Sequence, residues 1–373
     1  MIYFDNASTT PLDKEVLEAM LPYLTDNFGN PSSQHGAGRA AALGVLSARD
    51  KIAALIGCKA EEVFFTSGGT EAGNWALKGA CAANRGRHIV VSAIEHPALI
   101  ESAKDMQKFG FEVTFVNPDK DGVIRAEYIE KAIRADTAFC AVMAANNETG
   151  VIQPVEEIGE VCAAHGVFYY SDCVQTAGIL PFPVKSCTAL GFSSHKFYGP
   201  KGFGALYIKE GAGIARLISG GNQERGLRGG TTNAAAAVGC AVALERAVNG
   251  AADNNKRIKR LRDKFVSEVL GSISGAQLNG GENRLPATAN ISFDGCDGEN
   301  LLFLLDLNGI AVSTGSACSA GAVKKSHVLT AMGLPEGRVK SAVRFTFGKY
   351  NTEEEVEKTI AVLKKSVEKI RGC

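Results

Sequence analysis

No apolar run in the sequence approaches the ~20 residues that a helix needs to cross a membrane. Neither charge is in surplus, because 40 Lys+Arg balance 40 Asp+Glu. A dedicated nucleic-acid binder needs a basic excess, so that class is set aside. The most basic run, KRIKRLRDK from Lys256, reads as a solvated helix face. Ten cysteines are present without a CxxC pair, which removes zinc-finger spacing. The chain, at 373 residues, is far too large for a disulfide-stapled mini-domain, and its scattered thiols suggest a reducing cytoplasm. The segment MIYFDNASTTPLD lacks the basic region and long apolar core of a secretory signal. What is there is ordinary for a globular protein, 45% hydrophobic and 21% charged, in a length that suggests two domains.

Short β-rich runs alternate with longer helical patterns. The pattern predicts strands at Glu62–Thr66, His88–Ile94, Glu112–Val116, Phe139–Ala145, Val167–Ser171, Leu190–Ser194 and Phe203–Ile208. Helices are expected between them, at Glu71–Ala83, Ala98–Phe109, Ala126–Arg134 and Val155–His165. This alternation implies an α/β fold with a mostly parallel sheet covered on both faces. The last strand follows a short glycine loop and can run antiparallel. The texture changes near Asn249–Asn255, where a second, smaller α/β domain is expected to begin. Its predicted parts are a charged helix at Lys256–Leu270, strands at Ala289–Phe293, Gly309–Ser313 and Val343–Phe347, and a final amphipathic helix at Thr352–Ile370.

Ligands of open α/β sheets bind beyond the carboxyl ends of the strands, and several predicted strands end in polar residues. SGGTEAGN follows the first of them: Gly68 and Gly69 allow close backbone approach and Thr70 opens a helix, which suits a phosphate or a plain N-cap. Glu95-His96-Pro97 ends the next; His96 is either a turn residue or a ring that stacks on a flat ligand and moves protons. Asn146 and Asn147 close another as turn formers or ligand contacts. Asp172, with Gln175 three residues on, is a buried carboxylate in need of a cationic partner or a cap for the next helix. The run SSHKFYGPKGFG then sets Lys196 among small and aromatic residues, where an amine could form a Schiff base with an aldehyde; Ser193 and His195 are placed to add phosphate donors. No single one of these signals is strong. Together they form a set that pyridoxal phosphate requires: a phosphate cradle, a stacking imidazole, an acid for the ring nitrogen and a lysine for the aldehyde.

The sequence resembles the class V aminotransferase group of fold-type I pyridoxal-phosphate enzymes, and within it the group I cysteine desulfurases of iron–sulfur cluster assembly. The likeness is carried nearly end to end by YFDNASTTP, GNPSSQH, TSGGTEAGN, the EH pair, NNETG, SDCVQ, SSHKFYGPKG, ERGLRGGT, STGSACSAG and VRFTFGKY. It implies a large cofactor domain over 14–250, built on a mostly parallel seven-stranded sheet between helices. A smaller C-terminal α/β domain, 251–373 joined by 1–13, would carry the cysteine loop. It implies that Lys196 binds pyridoxal 5'-phosphate covalently, Asp172 pairs with the ring nitrogen and His96 stacks on the ring. Gln175 and Asn147 would bond near the ring oxygen. Gly69, Thr70, Ser193 and His195 would bind the phosphate, with Thr231 supplied by the partner of a homodimer. Arg344 would hold the substrate carboxylate, and Asn30 and Arg225 would help shape the substrate pocket. Cys318 in STGSACSAG, which locally reads either as an inert thiol or as one free to move, would take sulfur from L-cysteine and pass it to an acceptor such as an iron–sulfur scaffold protein. A selenocysteine lyase, or another class V aminotransferase-like enzyme, is the alternative on the same scaffold. The short sequence after the final predicted helix leaves the mode of scaffold docking open.

Overall fold

The computed structural model describes residues 1–314 and 325–372. In chain order it begins with β1 (Ile2–Tyr3), α1 (Lys14–Thr25), α2 (Gly36–Ile56), β2 (Val63–Thr66), α3 (Gly69–Ala83), β3 (His88–Ser92), α4 (Pro97–Gln107), β4 (Glu112–Val116), α5 (Ala126–Ala132), β5 (Thr137–Ala141), α6 (Val155–Ala164), β6 (Phe168–Asp172), β7 (Ala189–Ser193) and β8 (Gly204–Ile208). It continues through α7 (Ala234–Asn249), α8 (Ala251–Ser272), β9 (Ala276–Leu278), β10 (Thr288–Phe293), α9 (Gly298–Leu307), β11 (Ile310–Ala311), α10 (His327–Ala331), α11 (Glu336–Lys340), β12 (Ala342–Thr346) and α12 (Glu353–Arg371).

The main sheet has seven strands in the order β2-β8-β7-β6-β5-β3-β4. Pairs from β4 through β7 are parallel, and β8 runs antiparallel to both β7 and β2. The period-2 geometry of strands splits their side chains between two cores. Ile89 and Val91 of β3, Phe139 of β5 and Tyr170 of β6 pack with Trp75 and Leu77 of α3. Val90, Cys140 and Tyr169, from the same strands, pack on the other face with Ile52 of α2, Ile158 of α6 and Leu244 of α7. Strands buried on both faces read as continuous apolar runs, as these do. The chain leaves β3 outward to β4 and then returns to β5. The carboxyl ends of β3 and β5 therefore flank a switch point, where such sheets open a crevice.

A third core gathers β1, β10, β12, α8, α9 and α12 around Phe4, Phe265, Phe345 and Phe347. Phe265 lies 4.7 Å from Phe345 and 5.6 Å from Phe347, centroid to centroid. Truncating such a ring to Ala costs roughly 3–5 kcal/mol. β12-β10-β9 form an antiparallel sheet and β1 pairs in parallel with β11, so the first residues of the chain pack with its last third. At Asn249–Asn255, where the second domain is expected to begin, α7 and α8 meet at Gly250. The asparagines of this stretch sit at the ends of two helices, where short polar side chains are favoured. Among the described residues no helix is long and apolar enough to cross a membrane.

Candidate active site

One cavity of about 420 Å³ opens at the carboxyl ends of the parallel strands; Gly69, Thr70, His96, Asn147, Asp172, Gln175, Ser193, His195 and Lys196 all line it. The chain puts them there by ending successive strands at the same edge.

β2 ends at Thr66 and α3 starts at Gly69 with no side chain capping its first turn, so its leading N–H groups stay available. Gly68 has φ +148, a conformation that side chains other than glycine's rarely adopt. A Cβ on Gly68 would lie 3.3 Å from Ser193 Oγ, and one on Gly69 would lie 2.6 Å from Val174. These glycines keep a hollow between the helix start and the Ser193 hydroxyl, with the positive end of a helix dipole facing it.

His96 follows β3 and caps α4, its Nδ1 accepting from the Ala98 N–H at 3.2 Å. That bond leaves the proton of the neutral ring on Nε2. Burial, helped by the charge of Lys196 and by His327, pushes its pKa down to about 4, so the ring is neutral near pH 7. After β5, Asn146 is spent on the turn: its Oδ1 accepts from the N–H groups of Glu148 and Thr149, both at 2.9 Å. Of the two amides, Asn147 is the one that reaches the cavity.

Asp172 is the last residue of β6, and its Oδ1 accepts from the Val174 N–H at 2.8 Å. Burial pushes its carboxyl up to about 6, against the opposing pull of that N–H and of the Lys196 charge. A buried carboxylate of this kind calls for a cationic or N–H partner. Lys196 ends the short 3-10 turn that follows β7. Its Nζ donates to the main-chain oxygens of Ala7 and Ser8, at 2.6 and 2.8 Å. Gln175 Nε2 donates to the same Ala7 oxygen at 3.1 Å. His195 bonds Thr9 through Nδ1 at 3.0 Å, and burial with the charges of Lys196 and Lys201 pushes its pKa down to about 4. The turn is strained at Tyr198, φ +68, whose N–H donates to Thr10 Oγ1 at 2.8 Å and whose hydroxyl accepts from the Lys349 N–H at 2.7 Å.

Arg344, on β12, stands just behind the wall. It donates to Asp5 Oδ1 and Ser8 Oγ, both at 2.8 Å, and to the Asn147 main-chain oxygen at 2.9 Å. Its Nε is buried with no hydrogen-bond partner among the described residues. Ser8 and Asn147 line the cavity, so Arg344 is one side chain away from its interior.

Asn30 and Arg225 do not line this cavity within their own chain, and neither does Thr231, which was expected from a partner. Asn30 is exposed in the loop before α2, its side chain accepting from the Ser32 N–H at 2.9 Å. Arg225 lies 3.9 Å above the Phe64 ring and donates to the Val63 oxygen at 2.9 Å, so its guanidinium is committed to packing on β2. Thr231 is exposed and does not line this cavity within its own chain. Cys318 lies outside the described residues. The sequence reading missed the Ala7 and Ser8 oxygens, along with Thr9, Met143 and Lys201 at the cavity wall. The NASTTP motif was the available signal for the first segment, although main-chain acceptors have no residue signature of their own.

The donor set fits pyridoxal phosphate on structural grounds: a hollow that a Cβ would fill, an uncapped helix start, a buried acid in need of a cation, and an amine at the same wall. Comparison with known proteins agrees. Residues 2–359 match the family model "Aminotransferase class-V". Over 99% of this chain and 95% of the relative, the sequence is 44% identical to the cysteine desulfurase IscS of Dictyoglomus turgidum (strain DSM 6724 / Z-1310). It is 43% identical to the cysteine desulfurase IscS of Methanosarcina thermophila, over 100% of this chain and 93% of that one. A solved NifS-like protein superposes with a TM-score of 0.92 at 40% identity, covering 98% of both chains. The structure titled "SspA in complex with cysteine" superposes with a TM-score of 0.83 at 34% identity, covering 94% of this chain and all of that one. The chain belongs to the class V aminotransferase family of pyridoxal-phosphate enzymes and, within it, to the cysteine desulfurases of the NifS/IscS type.

Proposed function

We propose that the protein removes sulfur from L-cysteine, giving L-alanine and a persulfide on Cys318, and passes that sulfur to an acceptor such as an iron–sulfur scaffold protein. The observation that carries this reading is the convergence of Lys196, Asp172, His96 and the Gly69–Ser193 hollow on one cavity, in a chain of this family. Lys196 would bind pyridoxal 5'-phosphate covalently, Asp172 would accept from its ring nitrogen, and His96 would stack on the ring. Gly69, Thr70, Ser193 and His195 would hold the phosphate, and Asn147 and Gln175 the ring oxygen. When bound, the cofactor supplies an aldehyde for the substrate amine and a ring that withdraws electrons from the α-carbon.

The rest falls to the chain's own groups. Lys196 Nζ takes the α-proton and returns it, and neutral His96 offers the Nε2 proton. Arg344 orients the substrate carboxylate with its planar fork. The Cys318 thiolate attacks the substrate sulfur: an S–S bond forms, the Cβ–S bond breaks, and Cβ gains a proton to become the methyl group of alanine. The described cysteines are poor candidates for this step. None lines the cavity, and burial pushes Cys81, Cys173 and Cys240 up to about 12. All eight are free thiols, which fits a cytoplasmic setting.

The working unit in this reading is a homodimer. Leu17, Leu21, Leu24 and Phe28 recur at helical spacing along and just past α1, and with Leu43 and Leu46 of α2 they are 43–72% exposed. An apolar face of this kind marks an association site. Thr231 would complete the partner's phosphate site. The large unit spans 14–250, and 1–13 joins 251–373 in the smaller one. Asn30 and Arg225 would help shape the substrate pocket; within one chain Asn30 Oδ1 accepts from the Ser32 N–H and Arg225 Nη2 donates to the Val63 oxygen.

The test is incubation of the reconstituted protein with L-cysteine, with selenocysteine in parallel. Alanine and a persulfide mapped to Cys318 are expected in equal amounts. Cys318→Ser should keep the cofactor absorbance and lose sulfide release from cysteine. Unchanged sulfide output would remove Cys318 from the mechanism, and activity confined to selenocysteine would favour the lyase.

A further inference from the structure

Glu95 ends the turn after β3, one residue before His96, and its side chain is wholly buried. Oε1 accepts from Ser92 Oγ at 2.5 Å and from the Met143 N–H at 2.7 Å. Those bonds tie the end of β3 to the segment that leaves β5 toward Asn147. Oε2 is buried and has no hydrogen-bond partner among the described residues. An ionised carboxylate offers acceptor sites on both oxygens and, when buried, needs a cation or several donors. Glu95 has two donors, both on one oxygen.

Its neighbours do not make up the deficit. The charged group that acts on it is Asp172 at the end of β6, of the same sign. Tyr170 of β6 and Cys140 of β5 are also near, and a negative Glu95 would oppose their ionisation too. His327 of α10 bonds the main-chain oxygen of Glu95 through Nε2 at 2.9 Å, and the His96 ring is turned to the cavity. Burial and the Asp172 charge together push the Glu95 carboxyl up to about 8, against the pull of its two donors.

We propose that Glu95 works as a neutral carboxylic acid, a positioning residue that fixes the strand ends bearing His96 and Asn147 without placing a second negative charge beside Asp172. The proposal rests on the roles given above to Asp172 and His96. A charge-bearing anchor in this place would compete with Asp172 for the cation it serves and would draw a proton onto His96. The neutral acid holds the same two donors and leaves both groups as the reaction needs them.

Glu95→Gln keeps an acceptor oxygen and removes the titration. At about pH 7 this variant should retain cysteine turnover within about twofold, whereas Glu95→Ala should lose about tenfold or more. The pH dependence has a definite sign. The folded carboxyl holds its proton more tightly than the unfolded one, so the stability it contributes is full below 4.5 and is lost as the pH rises through about 8. Between about pH 5 and about pH 9 the Tm of the wild type should therefore fall relative to that of Glu95→Gln. Parallel Tm curves, or a Gln variant as impaired as the Ala variant, would overturn the proposal. If Glu95→Gln does not fold, infrared titration of the wild type decides. A protonated-carboxyl C=O band at about pH 7, retained in Glu148→Gln and bleached above about pH 9, supports the neutral acid; its absence rejects it. A wild type inactive on cysteine would instead remove the proposed function, with the Tm curves and the band still judging Glu95.

Discussion

Two cavities meet at Lys196 and Gln175, and the larger one is the less reactive. The site cavity is about 420 Å³, and the one behind it, between α7, α8 and the end of β12, is about 670 Å³. In the larger cavity the charges are already matched. Burial pushes Asp13 up, but the hydrogen bond and charge of Lys349, with Arg246, hold its carboxyl below the usual range. The Lys349 ammonium bonds Asp13 and lies 4.2 Å from the Tyr198 ring centre. The smaller cavity holds two imidazoles pushed down to about 4, an acid pushed up to about 6, and a helix start without a cap. Groups whose pKa values are held away from the ordinary ones by burial are what an incoming cofactor can satisfy, so volume is a poor guide here and unmatched chemistry a good one.

The sharpest test of the contrast is Lys196, one of the two residues common to both walls. Lys196→Ala should lower alanine formation from cysteine roughly 10³-fold or more, because both the covalent attachment and the proton carrier are lost. Borohydride should no longer fix the cofactor to the protein. Turnover near the wild-type level would show that the cavities had been ranked the wrong way round.

A smaller effect, with a counter-intuitive sign, is expected at Asp172. The raised acid contributes stability that is complete below 3.8 and is lost as the pH rises through about 6. In cofactor-free protein, Asp172→Asn should therefore unfold less readily than the wild type at pH 7.5, by on the order of 1–3 kcal/mol, and the difference should vanish below about pH 4. The same variant should turn over cysteine poorly. Urea unfolding across this pH range is the measurement. An Asn variant less stable than the wild type at pH 7.5 would mean that Asp172 is already balanced, like Asp13 in the larger cavity.

Much of this arrangement was legible in the sequence. The predicted runs Glu62–Thr66 and Leu190–Ser194 became β2 and β7 within a residue, because strands buried on both faces leave short apolar stretches between helical patterns. The polar residues that follow those runs fall on one edge, as parallel connectivity requires. What escaped depends on main-chain atoms and on small residues. α2, GAGRAAALGVLSARDKIAALI, and α7, AAAAVGCAVALERAVN, are so rich in alanine and glycine that their apolar faces are hard to tell from their backs. The basic run from Lys256 looks solvated, yet Arg262 is buried with Nη1 3.3 Å from the Thr288 oxygen, and Arg257 donates to the Asn351 oxygen at 2.8 Å. Composition cannot say which carbonyls the fold leaves open. Glu95 beside His96 carries no signal of its role in the sequence, because one buried oxygen without a donor among the described residues is a fact of packing and not of spacing.

A small effect on catalysis is expected from the larger cavity itself. Lys349→Met keeps a long apolar stem near Tyr198 and Tyr350 while removing the ammonium that bonds Asp13. Asp13 also caps α1, its Oδ1 accepting from the Glu15 N–H at 3.2 Å, so its loss of a partner should be felt as stability. The expected cost is roughly 1–3 kcal/mol in urea unfolding, the range for a hydrogen bond to a charged group. Cysteine turnover should stay within about threefold of the wild type, because Lys349 does not line the site cavity. A larger loss of kcat with unchanged stability would mean that the strained Tyr198 turn transmits the change to Lys196 two residues away, and that the two cavities act as one site.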